Sequence, residues 1–235
     1  MKEALAVLLF LALLPACGGK ACGQAREKEA ANRVKPNMKS ALAEKDLELG
    51  SPVFIRAFKE ERILELFVKN QKTGKFDIFR SYPIVAASGE LGPKLAEGDG
   101  QVPEGFYFAG PKAMNPNSSY HLSFNIGFPN SYDRAHDRTG SFIMIHGSNV
   151  SIGCLAMTDE KIEEIYTLAD AALADGQPFF RIHIFPFRMT DGRMAKAADH
   201  EWFDFWNNLK TGYDLFEKNK LPPNVIVKEK QYAFE

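Results

Sequence analysis

Apolar positions along this chain fall into runs of two different periods, and the changes between them divide it. An unbroken apolar run from Ala4 to Leu14 follows Lys2 and ends at Pro15-Ala16-Cys17. That is about half of the ~20 residues a spanning helix needs, so residues 1–16 read as a signal peptide and the chain as exported, to the periplasm. Residues 17–50 are polar, rich in Ala, Lys and Glu, and lack a sustained apolar stripe; they read as a polar tether holding one short helix. From Val53 the period becomes two. Val53–Phe58, Ile63–Val68 and Phe76–Ala87, separated by polar turns, form a predicted β-meander.

Gly89 to Pro116 is rich in Gly and Pro and predicts loops joining short strands. Tyr120–Phe128 and Ser141–Gly147 are further strands, the second setting Phe142, Met144 and His146 on one face. Thr158 caps the clearest helix, with Asp159 and Glu160 in its first turn, Ile162, Ile165, Leu168, Ala169 and Ala172 on one side, and Gly176 as its stop. A strand over Phe179–Phe185 precedes an amphipathic helix from Asp199 to about Lys218, whose aromatic stripe from Trp202 to Phe216 reads as core packing. Pro222-Pro223 ends it. The class is a β-dominated α+β fold, with a catalytic domain over 51–190 and a helical extension over 191–235 packed on it.

The chain has 235 residues, 45% hydrophobic and 25% charged, enough for one sizeable core. A formal net charge of −1 gives no long-range pull on polyanions, which excludes nucleic acid as the starting hypothesis. Cys17, Cys22 and Cys154 are the three cysteines, two of them near the N-terminus, so there is no disulfide framework. A lone thiol deep in an exported domain is exposed to oxidation, and its retention points to reactivity. Leu14-Pro15-Ala16-Cys17-Gly18 resembles a lipobox. On that reading Cys17 is lipidated and membrane contact is through its lipid anchor alone; on the other, Cys17 only follows an ordinary signal peptide.

The chemistry concentrates in Ile145-His146-Gly147-Ser148-Asn149-Val150-Ser151-Ile152-Gly153-Cys154-Leu155, a strand end followed by a tight turn. An imidazole within reach of a thiol can take its proton and yield the nucleophilic thiolate. Gly153 permits the backbone geometry in which its own N–H and that of Cys154 converge on an oxyanion. Residue chemistry alone leaves a second reading open, a satisfied core histidine beside a buried thiol. Arg134 and His136 are candidate contacts for a substrate carboxylate, because a guanidinium fork matches that anion; the alternative is a solvated charged loop. His121 and His183 lack the short-spaced Cys, His or acid cluster of a zinc site, so no metal is expected.

His146-Gly147 followed by Ser151-x-Gly153-Cys154-Leu155 resembles the signature of the L,D-transpeptidase family, the YkuD domains. Pro103-Glu104-Gly105-Phe106-Tyr107 resembles that family's upstream Pro-x-Gly-x-Phe/Tyr element, and Ser88-Gly89 with Leu91-Gly92-Pro93-Lys94 the segment before it. Asn125 to Asn130, Tyr132 to His136 and Tyr166 to Arg188 resemble the YafK-like branch. The resemblance implies a β-sandwich-like domain without cofactor, acting on peptidoglycan stem peptides. It implies Cys154 as nucleophile, His146 as base, the Gly147 carbonyl as the group orienting the imidazole, and Ser151 as a substrate contact. Attack on a diaminopimelate-containing amide gives an acyl-enzyme that meets amine or water. Two positions depart from the transpeptidase pattern: Ile152 stands where many members have histidine, and Ala156 where they have arginine. Together with the YafK-like match, these favour an amidase releasing wall-linked lipoprotein or peptide over an enzyme that forms 3–3 cross-links or anchors protein. An inactive wall-binding lipoprotein is the third reading, and the intact His146/Cys154 pair argues against it. Cys154 is expected to be a low-pKa thiol activated by His146.

Overall fold

Two sheets share one core in the computed structural model, which describes residues 19–235. The segment expected to be a signal peptide and Cys17 lie outside the described residues. The first sheet has the order β3-β2-β1-β9-β4, with β1 Val53–Phe58, β2 Ile63–Lys69, β3 Phe76–Pro83, β4 Gly105–Ala109 and β9 Phe180–Phe185. β1 and β9 run parallel and the other neighbours antiparallel. The second has the order β5-β6-β7-β8, with β5 Met114–Asn115, β6 Ser123–Asn125, β7 Met144–His146 and β8 Leu155–Ala156.

One face of the first sheet carries Ile55, Ala57, Leu64, Leu66, Ile182 and Ile184 into the main core, where they meet Phe124, Ile145 and Leu155 of the second. Helix α3 (Asp159–Ala174) closes that core with Ile162, Ile165, Leu168 and Ala172. The other face carries Phe58, Phe106 and Phe185, and is covered by α5 (Phe203–Asn219) through Trp206, Leu209 and Tyr213. β1 is therefore buried at all six positions and does not alternate with solvent.

Several expectations change in the folded chain. Residues 17–50 are not a bare polar tether, because Gly19–Ala43 forms a 25-residue helix, α1, packed against α3. Its buried stripe is Ala30, Met38 and Leu42, sparse enough that charged and small residues mask the period. Arg33 supplies the rest of the contact, pairing with Glu163 of α3 at 2.5 Å. The extension over 191–235 is not purely helical: after α4 (Asp191–Ala195) and α5 comes a hairpin, β10 Val225–Lys228 and β11 Gln231–Phe234. α5 stops at Asn219 because Lys220 turns left-handed, φ 55°, before the prolines are reached.

Two strands are shorter than their apolar runs, and the backbone says why. His121 at φ 68° and Gly127 at φ 86° bracket β6, while Phe142 at φ 52° precedes β7, which removes Phe142 from the face it was expected to share with His146. The Thr158 side chain makes no capping bond to α3. Instead Asp159 accepts from the Ser148 amide at 2.7 Å, joining the helix start to the His146 loop.

Candidate active site

The parallel pairing of β7 with β8 sets the geometry. Ile145 lies opposite Leu155 and His146 opposite Ala156, so the chain from 147 to 154 must return from the end of β7 to its beginning. Cys154 therefore comes level with Met144, whose N–H donates to the sulfur at 3.3 Å, while the thiol itself is 3.7 Å from the Phe142 carbonyl. His146 closes the same strand and is 2% exposed.

His146 Nδ1 is 2.6 Å from the Gly147 carbonyl oxygen. A carbonyl only accepts, so Nδ1 carries the proton and Nε2 of the neutral ring is left as the basic nitrogen. Gly147 is required here for space: a Cβ would fall 2.6 Å from Asp159 Oδ1 and 2.8 Å from the Tyr120 oxygen. Tyr120 itself lies against the His146 ring, 4.8 Å between centroids.

Burial governs both titrating groups. It pushes the His146 imidazole down from its ordinary value, against the Gly147 hydrogen bond, and it pushes the Cys154 thiol up, against the Met144 amide and the charge of Lys94. The resting pair is a neutral thiol and a neutral imidazole. This reverses the expected low-pKa thiol: the desolvation of a half-buried sulfur outweighs its polar neighbours. Lys94 is itself buried and held by Asp99 at 2.6 Å, which offsets its pull.

The oxyanion donors expected at Gly153 and Cys154 are occupied. The Gly153 N–H donates to Ser88 Oγ at 2.7 Å and the Cys154 N–H to Ser151 Oγ at 3.0 Å. Ser151 thus holds the Cys154 amide from within its own turn. Ser88 in turn donates to the Gly100 carbonyl at 2.6 Å, so the loop from Ser88 to Gln101 backs the Gly153 turn. Phe142, Val150 and Ile152 are exposed, the last by 85%, and give the loops about Cys154 an apolar rim. Ala156 is wholly buried in β8.

The remaining candidates are not gathered here. His136 Nε2 sits 2.8 Å from the Lys230 carbonyl and its ring stacks on Tyr132, tying α2 (Ser131–Ala135) to the C-terminal hairpin. Arg134 lines a cavity beside that hairpin, one that does not include Cys154. His121 pairs with Glu163 at 2.8 Å, and His183 is packed between Phe54 and Phe106.

A model of the L,D-transpeptidase catalytic domain, YkuD, matches residues 52–213, more than half of the chain. The chain belongs to the L,D-transpeptidase family. It is 48% identical over 185 residues to YafK of Escherichia coli K12, itself named for this family, covering 79% of this chain and 74% of that protein; YafK of Escherichia coli O157:H7 gives the same figures. Among solved structures, the helical cell shape determining protein Pgp2 of Campylobacter jejuni matches at 19% identity and TM-score 0.47, over 76% of this chain and 73% of that one. Bd1075 of Bdellovibrio bacteriovorus matches at 19% identity and TM-score 0.41, over 78% and 85%. Among the described residues no helix is long and apolar enough to cross a membrane.

Sequence reasoning in terms of the family signature did not assign roles to Tyr120, Arg26 or Ser88. Arg26 of α1 lies 90 or more residues from the carbonyls it binds, and Tyr120 reaches His146 only once β6 and β7 are paired. No local pattern carries such contacts. Ser88 stood in a quoted segment, but its hydroxyl meets Gly153 across 65 residues.

Proposed function

We propose that the protein is an exported, peptidoglycan-modifying cysteine amidase. The observation that supports it most is the Nδ1 contact of His146 with the Gly147 carbonyl, which leaves Nε2 basic on the strand beside Cys154. Nε2 takes the thiol proton as sulfur attacks the carbonyl of a diaminopimelate-containing stem-peptide amide. The C–N bond breaks, and the amine leaves with the proton from the imidazolium. Water, deprotonated by His146, then opens the thioester to a carboxylate and restores the thiol. In the tetrahedral step the Cys154 amide exchanges Ser151 Oγ for the oxyanion. The absence of a cation at Ala156 favours water over a bound second stem peptide as the acceptor, since nothing at that position receives an acceptor carboxylate.

Sacculi carrying covalently bound lipoprotein test this directly. Released protein or peptide with a free amine is the expected product, and Cys154→Ala releases none. New 3–3 cross-links from tetrapeptide donors without release would replace hydrolysis by transfer, and unchanged release by Cys154→Ala would leave a wall-binding module. Mass analysis of the mature N-terminus is expected to find residues 1–16 removed. A diacylglyceryl-type adduct on Cys17 would then mark the lipid anchor.

A further inference from the structure

The fold pairs its arginines with carboxylates. Arg33, Arg56, Arg80, Arg138, Arg188 and Arg193 each have one within ion-pair distance. Four described arginines meet no carboxylate, Arg26, Arg62, Arg134 and Arg181, and the last two lie together. Arg134 donates to the Pro129 carbonyl and to Ser131 Oγ, and Arg181 donates to Asn224 Oδ1 at 2.6 Å. Both line one cavity of about 720 Å³. Its charged lining side chains are these two guanidinium groups and the carboxylate of Glu235.

The cavity opens where the aromatic face of the first sheet runs out from under α5 and reaches the C-terminal hairpin. His183 lines it from β9, on the same strand face as Arg181. That imidazole is 1% exposed, and neither ring nitrogen has a hydrogen-bond partner. Buried polar atoms in this condition are rare and costly, so a donor or acceptor at this spot has a group to serve. Two strands flank the space, β4 through Phe106 and Phe108 and β10 through Val225 and Val227; each pairs with one strand only, and at Phe106 the outer edge of β4 is already taken, its carbonyl accepting from Asn130 Nδ2 at 2.9 Å. Cys154 lines neither this cavity nor the one of about 640 Å³ beside it, which shares Phe108 and Gly127.

We propose that this cavity is a second binding site, for an extended acidic peptide. The guanidinium groups take its carboxylates bidentately, the β10 edge and β4 beyond Phe106 offer backbone partners, and Phe108 and Val225 meet its apolar stems. A free fatty acid shares the carboxylate and the apolar stem but has no use for the strand edges. The proposal does not depend on the chemistry of Cys154, since it is read as binding without turnover.

The probe is the dipeptide acetyl-Ala-Glu, titrated into the full chain and followed by amide NMR shifts. Saturable binding is expected, with shifts over residues 179–183 and 224–227 and not over 146–154, unchanged in Cys154→Ala. Arg134→Gln, an exposed and structurally mild change, is expected to weaken binding several-fold, and Arg134→Gln with Arg181→Gln by about 10-fold or more. Thermal melting checks that these variants are folded. The uncharged analogue acetyl-Ala-Gln-amide should not bind. Equal affinity in the double variant, shifts confined to 146–154, or no saturation would each overturn the proposal. Hexanoate binding as tightly as the dipeptide would overturn the peptide assignment in favour of a lipid-like carboxylate.

Discussion

Tyr120 lays its ring against the imidazole of His146, with centroids 4.8 Å apart and planes inclined by 35°. The contact is held from outside the YkuD domain proper. Arg26 of α1 donates to the carbonyls of Pro116, Ser118 and His121, at 3.4, 2.8 and 2.7 Å, and so fixes the loop that carries Tyr120. Arg33, about two turns further along α1, and His121 converge on Glu163. The N-terminal helix thereby reaches the base of the proposed reaction through a loop.

Arg26→Ala is expected to lower kcat about 10-fold while leaving KM nearly unchanged, because it loosens the base and not the binding surface. Arg26→Lys should recover part of the loss, since an ammonium can still reach one or two of the three carbonyls. Tyr120→Leu should reproduce the kcat effect. A rise in KM alone would assign the loop to substrate binding instead.

The pH profile follows from burial. A folded imidazole held below its ordinary ~6.5 stays neutral at pH 7, so the acid limb of kcat/KM is expected below that value. A thiol pushed up titrates above the ~8.5 of free cysteine, so iodoacetamide alkylation of the resting enzyme should inflect above it. His146→Ala should cut turnover about 10²-fold or more and barely move the alkylation inflection, since the imidazole acts on the proton in flight. An inflection well below ~8.5 that rises in His146→Ala would establish a resting ion pair.

Gly147→Ala places a methyl group against Asp159 Oδ1, the Tyr120 carbonyl and His121 Cβ, at 2.6, 2.8 and 3.0 Å. The carbonyl that orients His146 would have to move. Turnover is expected to fall about 10²-fold with a melting temperature lowered by a few degrees. Wild-type activity in a folded variant would remove the Gly147 carbonyl from the orienting role.

Much of this was legible in the sequence, and what was not has a common cause. β1 keeps its predicted limits of Val53 and Phe58, and α3 begins at Asp159 and carries its predicted face, because both depend on periodicity within one segment. The site string was legible because strand, turn and the paired His and Cys lie within ten residues. α1 was legible only as one short helix, since its buried stripe of Ala30, Met38 and Leu42 is sparse and its polar contacts arise only when Glu163 and the carbonyls of residues 116–121 are present. The same holds for the hairpin at Val225–Phe234, which is two short strands whose buried Tyr232 acquires its role from Asn130, 102 residues earlier. The direction of the Cys154 shift was misjudged for a related reason: neighbouring residue types are visible in a sequence, whereas desolvation is a property of the packed loop.

The C-terminal segment is part of the catalytic unit, and Glu104 makes the connection. Its carboxylate is wholly buried and accepts from the Gly92 amide at 2.7 Å, from Lys59 Nζ at 3.0 Å and from Trp206 Nε1 of α5 at 2.8 Å. Lys59 also donates to the carbonyls of Gly92 and Val102, so one ionic knot joins β1, the loop that backs Gly153, the Pro103-Glu104-Gly105 motif and α5. Glu104→Leu leaves the Lys59 ammonium buried without its counter-charge and the indole N–H without an acceptor. A loss of about 3–5 kcal/mol is expected, read as a lower urea midpoint with an unchanged slope. Glu104→Gln, which keeps an acceptor for Trp206, should lose less. A chain ending at residue 190 would expose Phe58, Phe106 and Phe185 together and is expected not to give a cooperative melt. A cooperative melt from that shortened chain, with Cys154 alkylated at the wild-type rate, would make α5 and the hairpin dispensable additions.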